Sequence, residues 1–263
     1  MNSNTDTAEF IYPDWPAPAV VKALSTTCNG GVSTGVWAGL NLGSHVDDRP
    51  AAVQANRRQL VTVAGLPADP VWLNQVHGKA VVDIANTSVT PAADAAFSSA
   101  PGQVCAVMTA DCLPLLICNT VGTKVAAVHA GWRGIVAGVI VQALQQFGGD
   151  DVLVWLGPAI GPESYEVDDK VRDQFLRLNT PAIDYVDAFQ FSRPGHWHFN
   201  LYAAARVGLI AAGVNGVFGG DFCTFSDERF YSFRRSGITG RQASLIWLED
   251  PVEESIQSLE DVE

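Results

Sequence analysis

Two histidines and one cysteine stand in polar or glycine-flanked positions at the ends of apolar runs. They are His77 in NQVHG, Cys112 in ADCLPLL and His129 in VHAGWRG. Strand ends and the turns that follow them are where side chains can point into a cleft while the core stays apolar. One thiolate and two neutral imidazoles form a suitable ligand set for Zn²⁺, with a fourth position open for water or substrate. The residue types therefore allow a metal centre.

Two other interpretations of these residues stay open. Cys112 can act as a nucleophile with His129 as its base, which is the chemistry of a Cys–His hydrolase and needs no metal. The three residues can also be unrelated, because no short ligand spacing joins them and a buried cysteine often behaves as a small hydrophobe. Asp111, next to Cys112, is a candidate general acid or base, or a residue that caps a turn.

Arginines are the candidate ligands for an anion. HAGWRG leads into a predicted helix, whose free backbone amides and Arg133 suit a phosphate group. Arg57 lies in an earlier predicted helix, and Arg234 and Arg241 follow an aromatic segment. The alternative is structural: the glycines of HAGWRG permit a tight turn, and the later arginines pack over aromatic side chains of an edge strand.

The segments that must position these residues alternate irregularly between strands and helices, which predicts one mixed α/β domain. A turn at 120–123 predicts that the apolar segments 115–118 and 124–128 pair as antiparallel strands. That pairing brings Cys112 to within a residue or two of the position opposite His129. Apolar residues at helical spacing predict helices over 48–64, 135–147 and 201–212, the last with Asn200 as its N-cap. The aromatic segment 231–234 is predicted to be a strand.

The domain organisation follows from composition. Residues 1–18 are predicted to be an irregular lead-in, 19–249 a single catalytic domain and 250–263 an acidic, frayed tail. Of the 263 residues, 48% are hydrophobic and 17% charged, which excludes a disordered chain. The net charge of −12 argues against a nucleic-acid partner, which would require a basic face.

The sequence also bears on the compartment. It has no run of about 18 apolar residues, so neither a transmembrane helix nor a membrane partner is expected. The N-terminal MNSNTDTAEF lacks the basic and then apolar order of a secretory signal. Five cysteines without a CxxC pair predict no disulfide framework, and a cytoplasmic location is therefore expected. The oligomeric state stays open.

Taken together, several motifs in one order resemble the YfiH-like family. This family was formerly described as laccase-domain or polyphenol oxidase proteins and is now described as purine nucleoside phosphorylases. The resemblance spans residues 13–248 and includes motifs that are each weak alone but specific in combination. They are LNLGSHVDD, NRRQL, NQVHG, ADAAFSSAPGQ, MTADCLPLL, AVHAGWRG, GPAIGPESYEV, FCTF and FYSFRRSGITGR.

The resemblance implies a fold of mixed β-sheets sandwiched between helices. It implies that His77, Cys112 and His129 bind zinc, with copper also claimed for the family. The implied activities are phosphorolysis of adenosine, inosine and methylthioadenosine and deamination of adenosine, with a purine nucleoside and phosphate as the binding partners. Arg57, Arg133, Arg234 and Arg241 are then candidate ligands for substrate or phosphate, and Asp111 a candidate catalytic residue.

Two alternative functions remain at this point. One is a Cys112–His129 hydrolase or amidase that acts on peptidoglycan precursors. The other is a weak copper-dependent oxidation of polyphenols. A true multicopper oxidase is excluded, because it needs a blue-copper site and a His-rich trinuclear cluster, and the chain has only five histidines.

Overall fold

The fold is given by a computed structural model that describes residues 8–87 and 90–250. The predicted tail therefore lies, except for its first residue, outside the described residues. The strands are β1 (Phe10–Ile11), β2 (Val21–Thr26), β3 (Val81–Asp83), β4 (Ala95–Ser98), β5 (Val104–Thr109), β6 (Leu113–Asn119), β7 (Val125–Ala130), β8 (Val152–Leu156), β9 (Glu166–Asp168), β10 (Phe189–Arg193), β11 (His196–Phe199), β12 (Gly216–Gly219) and β13 (Gln242–Leu248). The helices are α1 (Pro50–Ala64), α2 (Trp132–Ala137), α3 (Val139–Gln145), α4 (Asp169–Leu176), α5 (Leu201–Ala211) and α6 (Phe233–Ser236).

Three sheets carry these strands. A four-stranded sheet has the order β1-β2-β13-β5, a six-stranded sheet has the order β12-β8-β6-β7-β4-β3, and a small sheet has the order β10-β11-β9. The six-stranded sheet is mixed, because β12 pairs parallel to β8 and β3 parallel to β4 while its other pairs are antiparallel. The predicted α/β class with mixed sheets is confirmed.

The two large sheets pack face to face between helices. Side chains of the six-stranded sheet and of α3 and α5 form one apolar core, the two sheets form a second between them, and α1 covers the outer face of the four-stranded sheet in a third. Strand β6 shows why its sequence is apolar throughout. Its residues Leu115 and Ile117 face the helices, and Leu116 and Cys118 face the other sheet, so every position is buried.

The central strand pairing agrees with its prediction. Strands β6 and β7 are antiparallel, and Pro114 stands opposite His129. Helix α1 ends at a left-handed Gly65, and α5 begins where the Asn200 side chain accepts a hydrogen bond from the amide of Ala203. These features are encoded locally by turn and cap residues, which is why the sequence alone predicts them.

Three local predictions were wrong. The segment 135–147 is not one helix, because Gly138 adopts a left-handed φ of 92° that separates α2 from α3. The segment 231–234 is not a strand, because the Ser232 side chain caps the amide of Arg235 and starts α6. The lead-in is not wholly irregular, since β1 pairs with β2.

No helix in the described part of the chain is long and apolar enough to cross a membrane.

The loop GPAIGP at 157–162 is anchored by one buried hydroxyl. The Tyr202 hydroxyl accepts a hydrogen bond from the amide of Ala159 at 2.8 Å and faces the carbonyl oxygens of Gly157 and Phe222 at 3.2 and 3.0 Å. Tyr202 of α5 therefore holds this loop next to Phe222, the residue before Cys223.

Removal of that hydroxyl should destabilise the domain. Tyr202→Phe leaves the buried amide of Ala159 unpaired, which costs about 1–3 kcal/mol. Urea unfolding followed by circular dichroism measures the change. Tyr12→Phe, at a position 67% exposed, is the control and should change the free energy of unfolding by less than about 0.5 kcal/mol. Equal effects of the two substitutions would contradict this role of Tyr202.

Candidate metal centre

His129 is the most rigidly held of the three predicted ligands. It lies near the end of β7 and is only 3% exposed. Its Nδ1 lies 2.8 Å from Oδ1 of Asp94, and its backbone amide donates to the carbonyl oxygen of Asp94 at 2.7 Å. The pKa of Asp94 is lowered: burial opposes ionisation, but hydrogen bonds from His129 and from backbone amides outweigh it. The carboxylate can only accept, so Nδ1 carries a proton, and Nε2 is the nitrogen that can bind a metal ion once its own proton is lost.

The same carboxylate shapes the loop that carries His77. The backbone amides of Val76, His77 and Gly78 donate to Asp94 at 3.3, 2.9 and 2.6 Å. His77 adopts a left-handed φ of 59°, which is uncommon for a residue other than glycine. This conformation turns three successive amides toward one anion. Asp94 therefore fixes both the ring of His129 and the backbone of His77.

Cys112 lies in the turn between β5 and β6, where the chain passes from the four-stranded to the six-stranded sheet. Asp111, just before it, has a left-handed φ of 96°. Its carboxylate accepts hydrogen bonds from the Thr224 hydroxyl at 2.7 Å and from the amide of Arg234 at 2.6 Å. These two hydrogen bonds hold Asp111 in its strained backbone conformation, and strained residues of this kind are common at functional sites.

The three predicted ligands converge. One ligand atom from each of His77, Cys112 and His129 lies within 4.8 Å of the other two, and the imidazole centroids are 4.8 Å apart. Within residues 8–87 and 90–250, they are the only group of three or more His, Cys, Asp or Glu side chains that converge in this way. The structure therefore contains a His–Cys–His arrangement that can hold a metal ion.

The electrostatics favour the ligand form of the thiol. Burial alone would raise the pKa of Cys112, but the imidazoles of His129 and His77 outweigh it and lower the pKa to about 6. Burial would likewise lower the pKa of His129, but the Cys112 thiolate and the Asp94 carboxylate raise it to about 9. A metal ion that binds Cys112 and His129 would displace the proton that lies between them, as metal ions do at thiolate sites.

Gly131 makes room for the sulfur. A Cβ atom at this position would lie 2.8 Å from Sγ of Cys112 and 3.5 Å from Cδ2 of His77. Both contacts are with ligand side chains, so a side chain at 131 would occupy the space in which the ligands meet. The glycine after His129 in HAGWRG is thus required by the site and not by its backbone conformation, because its φ of −66° is open to any residue.

A cavity of about 440 Å³ lies over the cluster. The three ligands line it, and so do Asp111, Arg133, Arg234 and Arg241, each predicted from the sequence. Its volume is in the range of small-molecule binding sites, about 300–1,000 Å³. The cluster therefore faces a space that can hold a substrate.

The chain is similar to known proteins along most of its length. The family model described as a multi-copper polyphenol oxidoreductase laccase matches residues 22–249. A purine nucleoside phosphorylase of Pseudomonas aeruginosa is 53% identical over 245 residues, which cover 92% of this chain and 99% of the relative. Purine nucleoside phosphorylase YfiH of Escherichia coli K12 is 46% identical over 246 residues, with coverage of 92% and 99%.

The chain belongs to the YfiH-like family. A solved structure from Neisseria meningitidis superposes on it with a TM-score of 0.87 at 46% identity, covering 92% of this chain and 99% of the other. YlmD of Geobacillus stearothermophilus gives a TM-score of 0.85 at 31% identity, covering 94% and 100%. The resemblance stated from the sequence motifs is therefore confirmed.

The arginines of the YfiH-like chain are not equivalent. Arg133 is exposed in α2 with its guanidinium 4.4 Å from the ring centre of Trp132, and the helix starts at Trp132 and not near residue 135 as predicted. Arg234 donates to the carbonyl oxygen of Glu166 at 2.9 Å and Arg241 to that of Gly240 at 2.8 Å.

Arg57 is placed differently from the other arginines. It is absent from the described lining of the cavity, because two of its nitrogens donate to the carbonyl oxygen of Leu42. Its guanidinium also stacks over Trp72, with 4.2 Å to the ring centre. Its role as a phosphate ligand stays a prediction.

Sequence reasoning did not give a role to four residues of this site. Asp94 orients two ligands, and the Gln75 side chain bonds both backbone groups of Met108 at 2.8 Å, which ties the His77 loop to β5. His45 and Tyr165 line the cavity. Each lies within a motif of the family resemblance, so the signal was present, but only the fold shows that Asp94 and Gln75 hold the predicted ligands in place and that His45 and Tyr165 line the cavity.

Loss of the Asp94 charge should weaken metal binding. Asp94→Asn removes the carboxylate that orients His129, and such substitutions typically lower metal affinity by about 10- to 100-fold. Competition with a chromogenic chelator measures the affinity. Asp69→Asn, at an exposed position, is the matched control and should leave it unchanged. Equal affinities of Asp94→Asn and the wild type would contradict the orienting role.

A methyl group at position 131 should also loosen the centre. Gly131→Ala forces the Cys112 sulfur to move, and we expect at least about a tenfold loss of metal affinity, because such sites tolerate displacements of only about 0.5 Å. The melting temperature serves as the control, since the backbone there accepts alanine. Wild-type metal affinity in this variant would show that the sulfur is not held where the ligands converge.

Proposed function

We propose that the chain is a zinc-dependent purine nucleoside phosphorylase. The observation that carries this proposal is the convergence of His77, Cys112 and His129 below a cavity with arginines along its wall. The relatives from Pseudomonas aeruginosa and Escherichia coli are both named purine nucleoside phosphorylases, which supports the same reaction. Adenosine, inosine and methylthioadenosine are the proposed substrates, and deamination of adenosine is a proposed second activity.

The donor set fits zinc. One thiolate and two imidazoles are borderline-soft ligands, and three protein ligands are typical of catalytic zinc sites that keep a position open. Zinc bound there would supply a Lewis acid close to the purine. The copper of the family description fits less well, because multicopper oxidases need several copper sites and the described residues hold one cluster of this kind.

The arginines of the cavity suit phosphate because they lack carboxylate partners. Arg193 and Arg229 elsewhere form ion pairs with Glu166 and Asp227 at 2.7 Å. Among the described residues, no ion pair involves Arg133, Arg234 or Arg241. In a chain with 28 acidic and 16 basic residues, three arginines without ion-pair partners outnumber Asp111, the one carboxylate in the described lining of this cavity. Phosphate, as a dianion with several acceptor oxygens, is the ligand that such guanidinium groups bind best.

The proposed reaction balances without a further reactant. An oxygen of phosphate forms a bond to C1′ of the ribose while the bond from C1′ to the purine nitrogen breaks, and the bonding electrons leave with the purine. The sugar passes through an oxocarbenium-like transition state, as in other glycosidic cleavages. The chain's own groups orient phosphate on one side of C1′ through the arginines and hold the purine on the other. The proton of hydrogen phosphate passes to the purine nitrogen, which gives the free base and ribose 1-phosphate.

A second candidate function rests on the contact between Asp94 and His129, next to Cys112. Without metal, the Asp94–His129–Cys112 arrangement resembles a nucleophile, a base and a residue that orients the base. This geometry suits a cysteine hydrolase or amidase, which would act on peptidoglycan precursors. Such an enzyme needs no third ligand at His77 and tolerates chelators, whereas the zinc enzyme should lose activity on chelation and recover it with added metal.

Phosphorolysis can be tested directly. Purified protein incubated with inosine and phosphate should release hypoxanthine and ribose 1-phosphate in equal amounts. Cys112→Ala should reduce the rate by at least about 100-fold, because it removes a ligand of the proposed centre. Cys118→Ala, at a cysteine buried in the sheet interface, is the matched control for loss of a thiol. No product above the Cys112→Ala background would sink the proposal.

The role of Arg133 can be separated from that of the purine site. Arg133→Ala should raise the KM for phosphate by roughly tenfold or more, because one charge-assisted bond to the anion is lost. Deamination of adenosine should suffer far less, since water and not phosphate is its second reactant. Arg58→Ala, at an exposed position of α1, is the control. Equal losses in both reactions would mean that Arg133 shapes the pocket and does not bind phosphate.

A further inference from the structure

A second cavity of about 560 Å³ opens beside the one over the metal centre. Trp132, Arg133, Tyr165 and Arg234 line both cavities, so the two meet at these four side chains. Beyond them, the second cavity extends to the small sheet and the first turn of α4, where Lys170 contributes to its wall. A ligand that reaches the metal centre can therefore extend past Arg133 and Arg234.

The charges of the second cavity favour an anion. Arg133, Arg234 and Lys170 form no ion pair within the described part of the chain. Of its two carboxylates, Glu166 accepts hydrogen bonds from Arg193 and Ser192, both at 2.7 Å, and is neutralised by that arginine. The other, Asp168, caps the amide of Val171 at 3.1 Å. The three cations thus outnumber the one carboxylate that has no cationic partner.

The connection of this cavity to the one over the metal centre indicates which anion it fits. The metal-centre cavity already lies in the range of sites that enclose a whole small molecule, so a nucleoside does not need the second one. Inorganic phosphate alone can enter either space and does not need their connection at Arg133 and Arg234. A nucleotide uses both spaces at once, because its base can lie in the cavity over the metal centre while its phosphoryl group lies in the second cavity.

We propose that the chain binds nucleoside 5′-phosphates, with the base at the metal centre and the 5′-phosphoryl group in the second cavity against Lys170. The proposal goes beyond the proposed reaction, because a nucleotide can bind without being cleaved. It rests on that reaction only in placing the base near His77, Cys112 and His129. The ligand class is a purine nucleotide, and the recognising group is the ammonium of Lys170, which lies beyond the arginines that the proposed reaction uses for inorganic phosphate.

The test measures binding and not turnover. Isothermal titration of the protein as purified compares adenosine with adenosine 5′-monophosphate at one ionic strength. We expect the nucleotide to bind about fivefold more tightly or better, and Lys170→Gln to reduce this preference about fivefold, as expected for one charge-assisted contact. Lys22→Gln, at a lysine that pairs with Glu249 on the surface, is the matched control and should keep the wild-type preference.

Three results would overturn the proposal. The first is that the nucleotide binds no more tightly than adenosine, and the second is that Lys170→Gln keeps the full preference. A third result is that Lys170→Gln weakens binding of inorganic phosphate alone, which would assign the cavity to the free anion. If the inosine assay shows no phosphorolysis while the Lys170-dependent preference persists, the proposed reaction fails and this binding site stands.

Discussion

The carboxylate of Asp94 is the interaction on which the candidate site depends. It accepts a hydrogen bond from Nδ1 of His129 and three more from successive backbone amides in the loop of His77. The side chain of Asp94 is fully buried. A buried anion is tolerated only when its oxygens are fully engaged, and here two predicted ligands provide the engagement. The same ionic hydrogen bonds therefore stabilise the fold and orient the chemistry, so the site cannot relax without a cost in stability.

The arrangement of the sheets brings the third ligand to this pair. Cys112 lies where the chain crosses from one sheet to the other, and His129 lies near the end of the neighbouring strand β7. Strain is concentrated at the same place: of the three described residues other than glycine with positive φ, two are His77 and Asp111. Conformations of this kind cost roughly 1–3 kcal/mol each and persist only where surrounding contacts enforce them. Asp94 enforces the first, and the bonds of Asp111 to Thr224 and Arg234 enforce the second.

Much of this could be predicted from the sequence because local rules decide it. The turn at 120–123 determines the register of β6 and β7, and the caps at Gly65 and Asn200 determine where two helices end and begin. Apolar spacing could not reveal the break at Gly138, because the periodicity continues through it. The aromatic residues of 231–234 are typical of a strand, but the Ser232 side chain caps the amide of Arg235 and starts α6 there.

The roles of the supporting residues depend on contacts that are distant in sequence. Asp94 acts on a histidine 35 positions away. Arg57 is a candidate phosphate ligand by residue type, and two of its nitrogens donate to the carbonyl oxygen of Leu42. Residue type and motif therefore predicted the ligands, whereas only the packed structure distinguishes arginines that face the cavity from those that hold the fold.

The central claim is that His77, Cys112 and His129 bind one metal ion together. X-ray absorption at the zinc edge, on protein purified without added metal, tests it most directly. The account predicts about one zinc per chain with one sulfur ligand at about 2.3 Å and two imidazole nitrogens at about 2.0–2.1 Å. A chain without stoichiometric metal, or zinc with no sulfur in its coordination shell, would contradict it.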